Sequence, residues 1–459
     1  MVDVLSCVVG VIQVKVLTRI IFREVTNGLR SLSSLCRLRL WIFVGALAIG
    51  LLTVFVLWGK QGLVDQANDI YKFAELGHNI ALGNGLRYDG APLTIRRPPL
   101  YPALIALLYT IFGVMPLVIQ IFQAVLAAGT TLLAFEIGRC VFNLRTGLLA
   151  AIATALHPMV LRYVPDIQLE AFLTFLYTVA IYWSVRLAEK GTLWNGFWFG
   201  LSCAAAAMVK GVALPYPALF IVAYLWWRHS RSAERSNPLP GWRPVAALLI
   251  AMGLFILPWT YRNYTVTGRF VLISGNASGE FLRGYVFAQP RYYLLQDRAY
   301  SDGENEANEM QIQLFRSQGL IWERDETETE QVQNVAAKQK IMASPGAYLK
   351  KCFIAAFMFW YVVTTKANSL LVGGLALAGW ILALVGMYRA RGKGYQFWLL
   401  LLPIASMNLI YAAILALGRY SAPCIPSLMV LAAFGVDSLL PPRRPPPESV
   451  AANHSEGSR

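Results

Sequence analysis

Charged residues are scarce in this chain. Only 14% of its 459 residues are Asp, Glu, Lys or Arg, while 57% are hydrophobic. A soluble protein of this length could not cover its surface with so few charges. The apolar residues form long runs, such as 40–58 and 368–388, each near the ~20 residues that a helix needs to cross a bilayer. The composition therefore excludes a soluble globular protein and indicates an integral membrane protein.

Cysteine and histidine are also few. The six cysteines are scattered along the chain, and none lies inside the one large polar loop, so we expect no structural disulfide. Neither they nor the four histidines have the spacing of a metal site. No cofactor is therefore required by the sequence, while the binding of a divalent cation stays open.

The net charge of +15 does not come from one basic patch. Lys and Arg lie in short clusters between apolar runs, as in cytoplasmic loops that face anionic lipid. This pattern predicts membrane lipids, and no nucleic acid, as partners. The basic segment 1–39 carries no small-residue cleavage site, so the run 40–58 is expected to remain as a membrane anchor.

Charge also predicts the topology. If segments 98–113 and 350–366 do not cross the membrane, the basic clusters share the side of the basic N-terminus. We therefore expect interfacial or re-entrant helices there, and an all-α polytopic membrane protein with about ten transmembrane helices and both termini in the cytoplasm. The expected spans are 40–58, 115–138, 145–162, 168–187, 193–209, 211–228, 244–262, 369–388, 397–417 and 421–440.

The first outer loop carries the clearest motif. Residues 69–85 read DIYKFAELGHNIALGNG, with apolar residues at helical spacing, which predicts an amphipathic helix on the membrane surface. Asp69 stands at its N-terminal end. From the residues alone, Asp69 is either a helix cap or a functional acid.

This loop resembles that of membrane glycosyltransferases of the C-type superfamily, namely glycosyltransferase family 39 with the protein O-mannosyltransferases and the related aminoarabinose transferase of lipid A. Their pattern is an Asp, a Tyr four residues later, L-A-x-N-L-x-x-G-x-G, and R-x-P-x-Y-P. The matching residues are Asp69, Leu76, Asn79, Gly83, Gly85, Arg97, Pro99, Tyr101 and Pro102. The chain departs from the pattern at Phe73, where tyrosine is usual, and at Gly77, where alanine is usual.

Further segments resemble the family in the same order along the chain. They are 157–170, where Glu170 keeps the acid of a Thr-Glu pair, 258–284, which matches W-x-x-R-N-x-x-x-x-G-x-F, 344–351, and Gly418-Arg419-Tyr420 before the last span. The motifs all fall on one side of the predicted membrane, which strengthens the resemblance.

The resemblance implies an inverting transfer of a sugar from a polyprenyl-phosphate carrier to an acceptor outside the cytoplasm. Asp69 would be the base, and Glu170 or Asp166 would orient the acceptor or bind a cation. The leaving phosphate needs charge stabilisation, which arginines supply. The candidates for binding it are Arg96, Arg97, Lys210, Arg262, Arg419 and Tyr420, and Asn79 and Tyr101 are further pocket residues.

Simpler roles compete with these. The arginines would otherwise be anchors in the lipid headgroups, Asp166 a solvated loop residue and Glu170 a charge at a helix N-terminus. A transporter or flippase for a lipid-linked sugar is the alternative function, but the ionisable residues cluster at the outer edge and the chain shows no internal repeat. The acceptor (a protein, a lipid or a glycan) stays open.

The resulting organisation places the enzyme in the bacterial inner membrane with its site towards the periplasm. The predicted segments are a basic cytoplasmic N-terminus (1–39), a catalytic transmembrane module (40–262) with outer loops at 59–97 and 157–170, an outer subdomain (263–350), C-terminal transmembrane helices (351–440) and a disordered cytoplasmic tail (441–459). The subdomain is expected to recognise the acceptor, and whether it is all-α or α/β stays open.

Overall fold

The computed structural model describes residues 33–61, 69, 72–231, 242–275, 277–295, 299–322, 324–392 and 396–441. Most of segment 1–39 and nearly all of tail 441–459 lie outside these residues. Within them the chain is helical, and its strand-like pairing is a single bridge between Arg87 and Leu93. The all-α prediction is confirmed, and the outer subdomain is helical in its described residues rather than α/β.

In chain order, the α-helices are α1 (Ser34–Gln61), α2 (Phe73–Ala81), α3 (Leu100–Phe112), α4 (Pro116–Val141), α5 (Leu144–Ala155), α6 (Pro158–Leu161), α7 (Glu170–Lys190), α8 (Leu193–Val209), α9 (Pro215–Arg231), α10 (Arg243–Thr267), α11 (Ala277–Phe287), α12 (Pro290–Tyr293), α13 (Ala299–Arg316), α14 (Glu326–Ala343), α15 (Pro345–Met358), α16 (Lys366–Arg389), α17 (Trp398–Ala413) and α18 (Ile425–Leu439). Two 3₁₀ helices, Gly211–Ala213 and Gly418–Cys424, precede α9 and α18.

Six helices of the described residues are long and apolar enough to cross a membrane, and five shorter apolar helices accompany them. The six are Ser34–Val56, Pro116–Val141, Glu170–Lys190, Arg243–Thr267, Lys366–Arg389 and Gly418–Leu439. Each predicted span overlaps a long or a short apolar helix. The span predicted at 145–162 is interrupted, because α5 has 12 residues and Pro158 begins the separate helix α6.

The ion pairs at the helix ends define one end of the bundle. Arg39 in α1 and Arg139 in α4 both bind Glu136, with N–O distances of 2.7 and 2.6 Å. Arg145 in α5 lies 3.3 Å from Asp437 in α18. The basic clusters at these positions therefore meet at one end, here termed the basic end.

The opposite end, termed the loop end, holds the predicted outer loops. Near the start of α4, Gln120 donates to the carbonyl oxygen of Pro165 at 2.6 Å and Gln123 to that of Val164 at 2.9 Å. The preceding helix α3 has 13 residues, or about 20 Å at ~1.5 Å per residue, which is shorter than a ~30 Å hydrocarbon core. Tyr101 at the start of α3 donates to Gln123 near the start of α4, and α3 ends just before α4 begins, so both ends of α3 lie at the loop end.

The amphipathic helix predicted in the first loop corresponds to helix α2. Helix α2 has nine residues and ends at Ala81. Gly83 and Gly85 follow it with φ of +79°, a left-handed conformation that glycine adopts without strain. These two glycines therefore end the helix and turn the chain towards Arg97.

Close helix packing fixes the position of α8. A Cβ atom on Gly196 would lie 2.1 Å from the carbonyl oxygen of Pro244 in α10, and one on Gly200 would lie 2.2 Å from that of Leu248. Small residues four apart let two membrane helices approach closely. The contact holds α8 so that its C-terminal end delivers Lys210 to the loop end.

The outer subdomain is fastened to both the first loop and the end of α17. Glu326 accepts hydrogen bonds from Thr94 Oγ1 at 2.6 Å and from the backbone N–H of Ile95 at 3.0 Å. In α15, Lys351 Nζ donates to the carbonyl oxygens of Ala412, Ala413 and Ile414 at 3.0, 2.9 and 2.6 Å. These contacts hold the subdomain over the loop end of the bundle.

Candidate active site

A cavity of about 430 Å³ lies at the loop end, between the bundle and the outer subdomain. Its wall on the side of the helices is apolar and includes Val209, Val212, Leu214, Ile410, Ile414 and Leu415. Its charged lining residues are Arg96, Arg97, Glu170, Lys210 and Glu280. An apolar cleft of this size with a few charged groups is typical of sites for small molecules and cofactors.

Five of the predicted site residues line the cavity. They are Arg96, Arg97, Glu170, Lys210 and Tyr420, which come from four separate parts of the chain. The remaining predicted residues lie around it or support it: Asp69, Asp166, Arg262, Arg419, Asn79 and Tyr101. Arg419, in this second group, donates from its guanidinium to the hydroxyl of the lining residue Tyr420.

Asp69 lies beside the cavity, next to the lining residue Phe73. Its carboxylate oxygens accept hydrogen bonds from the backbone N–H groups of Phe73 at 2.7 Å and Ala74 at 2.6 Å, so Asp69 does cap α2. Burial raises the pKa of Asp69, against the effect of these bonds and of the positive charge on Arg97. A carboxylate oxygen has a second acceptor position, so the cap and a function as base are compatible.

Arg97 follows the bend after the first loop and faces the cavity. Its Nε donates to the Tyr88 hydroxyl at 3.2 Å, and its guanidinium lies 5.8 Å from the centre of the Phe73 ring. Phe73 in turn packs edge-on against Tyr101, with 5.1 Å between ring centres. Phe73 lacks the hydroxyl of the tyrosine that is usual at this position, but its ring helps to position Arg97.

Arg96 also lines the cavity, but its guanidinium is held by the outer subdomain. Its Nη2 donates to Thr329 Oγ1 at 2.5 Å, its Nε lies 3.6 Å from Glu326 Oε1, and the group stacks 3.6 Å above the Trp322 ring. Burial lowers the pKa of Arg96, and Glu326 opposes that shift. These contacts give Arg96 a role in anchoring the subdomain.

Three further predicted residues support the loops. Arg262 Nη1 donates to the Thr94 carbonyl oxygen at 2.9 Å, and the buried Tyr101 hydroxyl donates to Gln123 Oε1 at 3.1 Å. Asn79 Nδ2 donates to a carboxylate oxygen of the first loop at 2.7 Å. None of the three lines the cavity.

Lys210 stands against two stacked tyrosines. Its Nζ lies 4.0 Å from the centre of the Tyr420 ring and 5.3 Å from that of Tyr411, and the two rings are 4.4 Å apart and nearly parallel. Arg419 Nη2 donates to the Tyr420 hydroxyl at 2.8 Å. Burial lowers the pKa of Lys210 to about 8, against the effect of Glu170. Lys210 therefore still brings a positive charge to the cavity at neutral pH.

The two acids of the second loop differ in their surroundings. Glu170 is buried as the first residue of α7, lines the cavity, and its Oε2 has no hydrogen-bond partner among the described residues. Asp166 instead pairs with Arg162 at 2.5 Å, and burial raises its pKa against that arginine. The described residues hold no group of three or more His, Cys, Asp and Glu side chains suited to a metal ion.

The sequence motifs gave no reason to single out Glu280. It lies in the first turn of α11 and lines the cavity from the side of the outer subdomain. Burial acts to raise the pKa of Glu280, but surrounding cations outweigh it and hold that pKa below the usual value. Those cations are Arg283, Lys210, Arg419 and Arg97. Lys210, Arg419 and Arg97 are distant from Glu280 in sequence, so no local spacing could have indicated that these charges lie together.

Comparison with known families finds one match. Residues 96–259 match the model of the dolichyl-phosphate-mannose-protein mannosyltransferase family. That stretch begins at Arg96 and includes Arg97, Glu170 and Lys210 of the cavity lining. No curated protein matches the chain. The resemblance predicted from the first-loop motif is confirmed.

Solved structures share the fold at low sequence identity. ArnT from Cupriavidus metallidurans, bound to undecaprenyl phosphate, superposes with a TM-score of 0.54 and 14% identity over 86% of this chain and 60% of that one. The oligosaccharyltransferase AglB from Archaeoglobus fulgidus, in complex with an inhibitory peptide and a dolichol-phosphate, superposes with a TM-score of 0.55. Its sequence identity is 13%, and the match covers 87% of this chain and 50% of AglB. The chain thus shares the fold of these two proteins and spans 60% of ArnT and half of AglB.

Proposed function

We propose that this chain is an inverting glycosyltransferase, which moves a sugar from a polyprenyl-phosphate carrier to an acceptor at the outer face of the membrane. The observation that carries the proposal is the cavity at the loop end, where an apolar wall meets Arg97 and Lys210. The shared fold supports it, because ArnT is bound to undecaprenyl phosphate and AglB to a dolichol-phosphate.

The proposed donor fits the two kinds of cavity wall. The isoprenoid chain would lie along the apolar wall formed by the ends of α8 and α17. The phosphate would bind Arg97 and Lys210, with Arg419 approaching through its contact with Tyr420. Guanidinium groups bind phosphate oxygens through charged hydrogen bonds, which are stronger than neutral ones.

In the proposed reaction, the Asp69 carboxylate takes the proton of an acceptor hydroxyl or amine. The acceptor atom then forms a bond to the anomeric carbon, on the face opposite the phosphate. The bond from that carbon to the phosphate oxygen breaks, and its electron pair stays on the oxygen of the released polyprenyl phosphate. Arg97 and Lys210 would stabilise the negative charge that develops there.

The second acidic site would serve the acceptor. Glu170 lines the cavity, and its Oε2 lacks a hydrogen-bond partner among the described residues, so it can accept a hydrogen bond from the acceptor group. Asp166 would hold the second loop through Arg162. Arg96 and Arg262 are assigned to the junction of the first loop with the subdomain, because their guanidinium groups are engaged there.

The proposed orientation of the chain in the membrane follows from the distribution of its basic residues. Basic clusters favour the cytoplasmic side, so the basic end would face the cytoplasm and the cavity the periplasm. A transporter or flippase would instead need its charged site near the middle of the membrane. The charged cavity at one end of the bundle favours the enzyme.

The direct test uses the purified full-length protein in lipid nanodiscs. Polyprenyl-phosphate sugars, labelled in the sugar, are incubated with protein, lipid and glycan acceptor fractions. We expect acceptor-dependent release of polyprenyl phosphate and a product of inverted anomeric configuration, identified by mass spectrometry and NMR. If the label stays on the carrier with every fraction while intact labelled lipid changes leaflet in proteoliposomes, the chain is a flippase and the proposal is wrong.

A further inference from the structure

Glu280 brings a negative charge to a cavity that is otherwise suited to bind an anion. Among the described acidic residues of the outer subdomain, it is the one that lines the cavity. Its side chain is 25% exposed, and it stands on α11, which covers the cavity from the side away from the bundle. A carboxylate at this place weakens the binding of a bare phosphate, so its presence needs another explanation.

Local structure explains Glu280 only in part. An acid in the first turn of α11 interacts favourably with the helix dipole, but any outward-facing position in that turn would give the same benefit. Glu280 also lies 3.8 Å from Arg283. That arginine has a closer carboxylate partner, because its Nη2 donates a hydrogen bond to Glu304. Glu280 thus lies near an arginine of its own helix and also lines the cavity.

The cations around Glu280 are those assigned to the donor phosphate. Lys210, Arg419 and Arg97 all act on its carboxylate and favour its charged form. A phosphate held by these groups would have its isoprenoid chain along the apolar wall of the bundle. The group on the other side of the phosphate, towards α11, is then the sugar. Glu280, on α11, would then face that sugar.

We propose that Glu280 is a specificity residue, which distinguishes the sugar-loaded carrier from the spent carrier. This inference rests on the proposed function. In the loaded carrier, the carboxylate accepts hydrogen bonds from hydroxyl or amino groups of the sugar. In the spent carrier, those donors are gone and the phosphate monoester carries more negative charge than the diester. The same carboxylate then repels the product and favours its release.

The test compares wild-type protein with Glu280→Gln, which keeps the size of the side chain and removes its charge. Binding of a polyprenyl-phosphate sugar and of the sugar-free polyprenyl phosphate is measured by titration in nanodiscs. We expect Glu280→Gln to bind the loaded carrier about 10-fold more weakly, since a charged hydrogen bond becomes a neutral one. It should bind the spent carrier several-fold more tightly. Glu309→Gln, an exposed residue of the same subdomain, is the matched control and should change neither.

The outcomes separate this role from the proposed function. If wild-type protein binds and uses the loaded donor, but Glu280→Gln leaves the ratio of the two affinities unchanged, the specificity role is wrong and the transferase stands. Equal weakening of both lipids would likewise overturn it, because Glu280 would then only order the cations. A wild-type protein that binds neither lipid would overturn the transferase, and the role of Glu280 with it.

Discussion

Replacing Asp69 with asparagine separates its role as a helix cap from its role as a base. The asparagine oxygen can still accept a hydrogen bond from Phe73 or Ala74, so one of the two capping bonds is kept. Loss of a helix cap typically costs about 0.5–2 kcal/mol of stability. If Asp69 acted only as a helix cap, the rate of sugar transfer by Asp69→Asn would therefore change by no more than a few-fold.

The expected change in stability of Asp69→Asn is small because removal of a buried charge offsets the loss of a capping bond. Burial makes the pKa of Asp69 higher in the folded protein than in the unfolded chain. The stabilising contribution of such a group is complete below its unfolded pKa and is lost as the pH rises through its folded pKa. At neutral pH the buried charge is thus unfavourable, and asparagine removes it. We expect the melting temperature in detergent to change by only a few degrees.

The expected change in activity is much larger. A positioned general base contributes about 10²- to 10⁴-fold to a rate, so Asp69→Asn should retain at most about 1% of wild-type transfer. Initial rates with labelled donor provide the measurement. The raised pKa of Asp69 also predicts that wild-type activity falls on acidification at a pH above the usual value of 3.8 for an aspartate. The residual activity of Asp69→Asn should lack this fall.

The control is Asp325→Asn. Asp325 also accepts a backbone N–H bond, from Ile321 at 2.8 Å, at the start of α14, and it does not line the cavity. Its asparagine variant loses a charge at the start of a helix, can still accept the bond from Ile321, and should keep full activity. If Asp69→Asn keeps activity within a few-fold of wild type with an unchanged pH profile, Asp69 is only a cap and the assigned base is wrong.

Three other predictions concern the donor phosphate and the topology. Arg97→Ala and Arg419→Ala should each weaken donor use about 10- to 100-fold, since a charged hydrogen bond contributes about 1.5–3 kcal/mol. Lysine at either position should restore part of the loss, and donor titrations in which both alanine variants equal wild type would exclude this site for the phosphate. Donor affinity should fall as the pH rises above about 8, because Lys210 loses its proton there. Lys210→Arg should move that fall to higher pH, and an identical pH profile would refute the role of Lys210. In a chain without native cysteines, Asp325→Cys should react with an impermeant thiol reagent in intact cells, whereas protection until lysis would reverse the topology.

Local patterns in the sequence determined the helices and the first-loop motif. Hydrophobic length and helical spacing depend on neighbouring residues, so the apolar runs and the amphipathic helix beside Asp69 were predictable. Where such patterns erred, a local residue decided the outcome. Pro158 interrupts the predicted span 145–162.

Only the tertiary structure decided which charged side chains share the cavity. Arg96 and Arg97 are adjacent in sequence and both line the cavity, yet Arg96 is held by Glu326 of the outer subdomain, whereas Arg97 contacts Tyr88 of the first loop. Glu280 belongs to no motif, but α11 brings it to cations from three distant segments. For Arg96 and Glu280, what the side chain meets depends on elements that lie far away along the chain. The residue types at these positions were visible in the sequence, whereas their partners were set by how the helices and the subdomain pack.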